Sequence, residues 1–282
     1  MILFRTKAEL ARFAAETKRS GKVIGLVPTM GYLHAGHMSL VDTARARADV
    51  VIVTLFVNPT QFGPTEDLDR YPRDFERDKK MCEEHKVDVL FAPDTHEMYA
   101  SDSSTWIEEL DLAKPLCGAS RPAFYRGVTT VVGKLFHLAQ PDFACFGLKD
   151  AQQCFVIERM VRDLDFQVEI VPCPLVRDED GLALSSRNRY LSADERKRAL
   201  SIHQALVAGR KTLEEKGFSA LDEICRTAIN SITAAGGRVD YVEGLDRATM
   251  KAPTAESREI LLAAAVFFGT TRLIDNELVQ VK

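Results

Sequence analysis

Two histidines three residues apart, His34 and His37, lie in the segment PTMGYLHAGHMSL, residues 28–40. A short apolar run precedes this segment, and an amphipathic stretch follows it. The first amides of a helix have no partners within the helix, and that end of the dipole is positive, so an anion is favoured there. Gly31 and Gly36 let the backbone come close to a ligand, and Met30 opens the turn. Two imidazoles at this spacing can face one phosphate chain and donate hydrogen bonds to it. In charged form they would also stabilise negative charge developing at an α-phosphate and on departing pyrophosphate. Two merely structural histidines at a helix start would suit a lone histidine better than an H-x-G-H pattern that directly follows a strand.

Three further segments carry chemistry. FGLKDAQQ, residues 146–153, again ends a strand and begins a helix. Lys149 is a point charge suited to phosphate oxygens. Asp150, at the helix cap, suits a ribose hydroxyl or a magnesium ion, and Gln153 shares its helix face. LSSRNRYL, residues 184–191, places Ser185, Ser186 and Arg187 in a polar loop, the makings of a triphosphate clamp. Such a loop would also exclude water from a labile acyl-adenylate. FVNPTQFGPTEDLDRYP, residues 56–72, offers Asn58 and Gln61 as uncharged groups for hydroxyls and a carboxylate. Read alone, these last two segments are ordinary polar loops, and the Lys149-Asp150 pair is equally well a capped helix start.

These residues need elements to position them. Thr6 and Glu9 have capping-box spacing and Gly21 closes the stretch, so the chain is expected to open with a helix. Strands are expected at 23–27, over DVVIVTLFV, over VDVLFAP, at 143–147 and at 168–176. Helices are expected at 37–47, 75–85, 128–139 and 151–164. Continuous apolar strands that alternate with helices imply a parallel sheet covered on both faces. Ligands of such sheets bind at the carboxyl ends of the strands. After about Val176 the texture changes. A long polar loop precedes a helix opened by Ser192 and Glu195, then a second helix and antiparallel strands. The expected fold is α/β: a parallel-sheet domain over residues 1–180 with a smaller α+β domain of helices and antiparallel strands over residues 181–282.

The chain has 282 residues, a formal net charge of −4 and a pI of about 5.9. A general nucleic-acid or anionic-membrane binder would show a basic excess, so neither partner is expected. None of the six cysteines forms a CxxC pair, so zinc knuckles and thioredoxin-type motifs are unsupported and buried free thiols are expected. The N-terminus does not read as a signal peptide, and no apolar run has the ~20 residues that span a bilayer. A cytoplasmic enzyme is the expectation.

Together the segments closely resemble the pantoate–β-alanine ligase (pantothenate synthetase) family of the HxGH nucleotidyltransferase-like superfamily. The likeness lies in ordered motifs: PTMGYLHAGH, FVNPTQF, RYPRD, the GVTTVV region, QPDFACFGLKD, SSRN and the terminal TRLIDN. It implies a Rossmann-like domain with a C-terminal lid, and a homodimer. It implies ATP as substrate, with Mg2+, in a reaction that joins pantoate to β-alanine through pantoyl-adenylate and yields AMP and pyrophosphate.

The residues that would bind ATP are then Met30, Gly31, His34, Gly36, His37, Gly147, Leu148, Lys149, Asp150, Val176, Leu184, Ser185, Ser186 and Arg187. His34, His37, Lys149, Ser185, Ser186 and Arg187 would be catalytic, with His37 foremost. Gln61, Gln153 and Asn58 would bind pantoate, Gln61 would also place β-alanine, and Asp78 would contact magnesium. Tyr71 and Arg121 would be neighbours.

Three positions depart from the family pattern: Phe124 where histidine is common, Leu148 where Glu or Gln is common, and Leu184 where methionine is usual. They bear on substrate affinity more than on reaction class. Two rival functions are weaker. A nucleotidyltransferase moving AMP onto a phosphate acceptor should carry more cations opposite the histidines. A non-catalytic nucleotide-binding regulator should have lost His34, His37, Lys149 or Arg187.

Overall fold

The structure is a computed structural model that describes residues 1–64 and 66–281. In chain order the elements are β1 (Ile2–Phe4), α1 (Lys7–Arg19), β2 (Ile24–Thr29), α2 (Ala35–Arg45), β3 (Val50–Leu55), α3 (Phe75–Glu84), β4 (Val89–Phe91) and the one-turn α4 (Thr95–Met98). They continue with the one-turn α5 (Cys117–Ser120), α6 (Phe124–Ala139), β5 (Phe143–Gly147), α7 (Ala151–Asp163), β6 (Glu169–Cys173), α8 (Ala193–Lys216), α9 (Leu221–Ala234), β7 (Arg238–Asp246), β8 (Glu259–Phe268) and β9 (Thr271–Gln280). The chain forms two compact units. The first comprises Met1–Leu110, Arg121–Leu148 and Val156–Pro174, and the second comprises Asp111–Ser120, Lys149–Phe155 and Leu175–Lys282.

The first unit holds a six-stranded sheet in the order β1-β4-β3-β2-β5-β6, parallel throughout. The chain winds outward from β2 to β3 and β4, then returns to place β5 on the other side of β2. The order therefore reverses between β2 and β5, the switch point at which doubly wound sheets bind ligands. β2 and β5 are paired at Gly25 and Leu26, while the strands run on to Thr29 and Gly147. A side chain at Gly25 would meet the Phe143 ring at 2.8 Å, so glycine is what lets β5 sit this close.

Helix α2 covers β2, β3 and β5 with Met38, Leu40, Val41 and Ala44 against Val27, Val51, Val53, Phe143 and Cys145. Each large apolar side chain buried here contributes about 1.5–3 kcal/mol. That packing fixes the direction of α2, and so the place where its first turn sits.

The second unit holds an antiparallel sheet in the order β7-β8-β9. α8 and α9 pack on one of its faces through Ile202, Leu206, Leu213, Ile224 and Ile232 against Ile260, Leu262, Ala264 and Val266.

The α/β class, the parallel sheet and the smaller antiparallel unit agree with the sequence reading. Several elements differ from it. The chain opens with β1, an edge strand paired to β4, before the capped helix α1. α2 begins at Ala35 with His34 as its cap, and α6 begins at Phe124. β6 stops at Cys173, and neither α4 nor α5 was expected. Segments 111–120 and 149–155 group with the second unit although both precede residue 180. All six cysteines are free thiols, five of them buried. Among the described residues no helix is long and apolar enough to cross a membrane.

Candidate active site

In the first unit, β2 ends in a backbone turn of unusual shape. Gly31 has φ +84 and Tyr32 has φ +50, two successive left-handed residues. Such a conformation is costly for tyrosine and persists only when its surroundings hold it. Asp78, in the first turn of α3, is what holds it. Its Oδ2 accepts from the Tyr32 N–H and its Oδ1 from the Leu33 N–H, both at 2.7 Å. The carboxylate is 2% exposed. Burial pushes its pKa up, opposed by the two N–H donors and by Arg77. At Gly31 a Cβ would stand 3.2 Å from Asp78 Oδ2. Thr29 secures the approach: its hydroxyl donates to the Thr54 carbonyl and accepts from the Gly31 N–H.

The turn delivers His34 to the N-cap of α2. His34 Nδ1 accepts from the Gly36 N–H at 3.2 Å, and His37 Nδ1 accepts from the His34 N–H at 3.3 Å. The two rings lie with centroids 4.1 Å apart. A ring nitrogen that accepts carries no proton, so each neutral imidazole bears its hydrogen on Nε2. This corrects one expectation. The Gly36 amide is capped by an imidazole, and the Tyr32 and Leu33 amides by a carboxylate, so the turn is not an open cradle of N–H groups. With Nδ1 placed as acceptor, each ring presents Nε2–H as its donor.

Beside the turn stands Gln61, 7% exposed, whose Nε2 lies 2.9 Å from Met30 Sδ. Its Oε1 accepts from Asn58 Nδ2, which also donates to the Gly127 carbonyl. Asn58 is 1% exposed, and its Oδ1 accepts from the Tyr99 and Thr60 hydroxyls. Asn58 is thus committed to internal bonds and acts as the bracket for Gln61. Gly127 makes the bracket possible: a Cβ there would fall 2.5 Å from the Thr60 carbonyl oxygen. Arg121 ties down the same loop, donating to the Gln61 carbonyl and, through two nitrogens, to Glu66. Its guanidinium also stacks 3.8 Å over Phe124. The aromatic found where histidine is common therefore serves as a platform for Arg121. Tyr71 is buried edge-on to Phe62. Gly147 ends β5 with Leu40 of α2 beneath it.

In the second unit, Lys149 and Asp150 close a 3-10 turn just ahead of α7, with Lys149 Nζ 3.5 Å from Asp150 Oδ2. Leu148, the last residue of the first unit, begins that turn. Gln153 is half-buried. Its neighbour Gln152 is structural: it donates to the Leu112 and Pro115 carbonyls and accepts from the Cys117 N–H.

Val176 and Leu184 face each other across a hairpin, with the Leu184 N–H on the Val176 carbonyl. Ser185 follows as the cap of a 3-10 turn over Ser186–Tyr190, its hydroxyl accepting from the Arg187 N–H. Ser186 is buried and Arg187 half-buried.

The first unit thus brings together Met30, Gly31, His34, His37, Gln61 and Asn58, with Asp78 behind the turn. The second groups Lys149, Asp150 and Gln153, and separately Val176 and Leu184 to Arg187. Asp78 was expected at a magnesium ion, but both its oxygens hold backbone. Among the described residues no group of three or more His, Cys, Asp or Glu could hold a metal. The turn-holding role of Asp78 and the bracketing role of Asn58 were not readable, because spacing in sequence carries no sign of partners so far along the chain.

Comparison with known proteins shows what the whole chain resembles. The family model described as pantoate-beta-alanine ligase matches residues 2–278. A pantothenate synthetase of Thermotoga neapolitana is 50% identical over 277 residues, 98% of this chain and 99% of that protein. That of Moorella thermoacetica is 50% identical over 282 residues, covering 100% of this chain and 99% of its own. The crystal structure of pantothenate synthetase from Thermus thermophilus superposes with a TM-score of 0.91 at 44% identity, covering 98% and 99% of the two chains. A pantoate-beta-alanine ligase from Francisella tularensis, solved with a β,γ ATP compound and β-alanine, gives 0.81 at 34% identity over 99% and 97%.

Proposed function

We propose, from the fact that this chain belongs to the pantoate-beta-alanine ligase family, that it joins pantoate to β-alanine with ATP as the activating substrate. In the first step a pantoate carboxylate oxygen attacks the α-phosphorus, forming pantoyl-adenylate and releasing pyrophosphate. In the second the β-alanine amine attacks the acyl carbon, and pantothenate and AMP leave. The observation that carries this reading is the histidine pair, fixed as Nε2–H donors at the sheet's switch point with Gln61 beside it.

His34 and His37 are assigned to the phosphates, where Nε2–H donors strengthen as charge develops on oxygen. His37, held by the His34 amide, is the main contributor. Met30, Gly31, Gly36, Gly147 and Leu148 line the nucleotide, as does the Val176–Leu184 hairpin. Gln61 and Gln153 bind pantoate, and Gln61 also orients β-alanine; Asn58 acts through Gln61. Lys149, Ser185, Ser186 and Arg187 add donors and positive charge to the triphosphate. Residues 1–180 serve as the nucleotide- and pantoate-binding domain and residues 181–282 as the lid. The active form is a homodimer in the cytoplasm.

Mg2+ needs only one or two carboxylates when phosphates supply its other oxygens. The half-exposed Asp150 fits that requirement, whereas Asp78 is committed to the turn. When bound, the ion neutralises phosphate charge.

An omission assay tests the reading. Protein, ATP and magnesium are incubated with pantoate and β-alanine, each left out in turn. AMP, pyrophosphate and pantothenate are expected in equal amounts, and pyrophosphate release should need pantoate. ADP and phosphate as products would refute it.

A further inference from the structure

Lys149 and the Ser185 loop lie far apart in sequence, yet one dipeptide of β9 holds the mounting of both. Successive side chains of a strand point to opposite faces, so Asp275 and Asn276 reach in different directions. Asp275, 5% exposed, accepts from Arg177 Nη1 at 2.7 Å and from Nη2 at 2.9 Å. Arg177 Nη1 also donates to the Gly181 carbonyl, closing the hairpin over 176–184. That hairpin is pinned by the Arg177–Ala183 bridge and leads directly into Ser185. Asn276 turns the other way, and its Nδ2 donates to the Lys149 carbonyl at 3.0 Å. The Asn276 N–H bonds back to Asp275 Oδ1, which stiffens the dipeptide. β9 itself is paired to β8 along its whole length, Asp275 opposite Ala264 and Asn276 opposite Ala263.

We propose that Asp275 and Asn276 are positioning residues that set Lys149 and the Ser-Ser-Arg loop at a fixed spacing for one triphosphate. Neither touches substrate. Asn276 acts by fixing the Lys149 backbone, and Asp275 by fixing Arg177 and so the start of the clamp. This inference rests on the assignment of Lys149 to the phosphates.

The test is a double-mutant cycle between Asn276→Ala and Lys149→Ala, read as the single-turnover rate of pantoate-dependent pyrophosphate release, with KM for ATP and the thermal midpoint alongside. Asn276→Ala is expected to slow adenylation about tenfold in the parent, with its thermal midpoint kept, and less than about twofold in the Lys149→Ala background, because residues that act through one another are not additive. Asn276→Asp, of the same size but turning an acceptor toward the carbonyl, should be at least as slow. An equal loss in both backgrounds, or full activity of Asn276→Asp, would overturn the inference. Should Lys149→Ala alone keep the parent's rate, the assignment of Lys149 itself falls. A slow Lys149→Ala beside a normal Asn276→Ala would sink only the positioning role.

Discussion

The histidine turn after β2 and the Ser-Ser-Arg loop before α8 are assigned the same duty, yet they are held by different physics. Around the first, positive φ at two residues, close glycine contacts and backbone N–H bonds to one buried carboxylate set the shape. Around the second, ion pairs do so: Arg177 with Asp275, and Arg196 with Asp178 and Asp180. The Arg196 pairs are about a third exposed and open to screening by salt. One region is shaped by backbone conformation locked onto a single buried carboxylate, and the other is assembled from ion pairs that salt and substitution can loosen.

The largest effect expected from this contrast is on stability in the second unit. Asp275→Ala removes the bidentate partner of Arg177 and leaves it only the longer Glu277 contact at 3.5 Å, a loss at the lower end of the about 3–5 kcal/mol typical of a broken buried pair, read from urea unfolding. An unchanged midpoint would break the contrast at its charged end. His37→Ala is next. It should slow adenylation roughly a hundredfold, as loss of a transition-state donor does, with little change in the unfolding midpoint. Near-normal adenylation would remove His37 from the mechanism.

Gly127→Ala should cost about 1–3 kcal/mol through overpacking against the Thr60 carbonyl, and should raise KM for pantoate as Gln61 shifts. If pantoate binding is unaltered, the Asn58–Gln61 bracket has slack that the close contact denies.

The smallest effect concerns pH. Burial raises the Asp78 pKa above its unfolded value, near 3.9. The fold then binds this proton more tightly than the unfolded chain does. The Asp78 contribution to stability is therefore full below the unfolded pKa and is lost as pH rises through the folded one. The turn, however, needs the ionised carboxylate as a double acceptor. As pH rises from the unfolded value through the raised folded one, adenylation should rise, while the stability of the parent relative to Asp78→Asn should fall. Parallel changes in the two quantities would contradict the role given to Asp78.

How much of this could be read in advance differed by region. β2 to β5 were legible because parallel strands covered on both faces are written as unbroken apolar runs. β1 was not, being three residues at an edge with Ile2 48% exposed. The start of α6 was hidden because Ala123 offers no side-chain cap and Gly127 breaks the helical pattern. The chemistry-bearing residues were visible as types at short spacing. Their supports were not: Asp78 lies 45 residues from Leu33, and Asn276 lies 127 from Lys149. Only the fold brings such partners together. The tautomer of the histidine pair was equally hidden, since it depends on which backbone N–H each Nδ1 meets.

The most direct measurement is a crystal structure with a non-hydrolysable ATP analogue. Phosphate oxygens are expected about 3 Å from Nε2 of His34 and His37, with both Nδ1 atoms still accepting from the backbone. A nucleotide bound away from this turn, with neither ring facing it, would contradict the central claim.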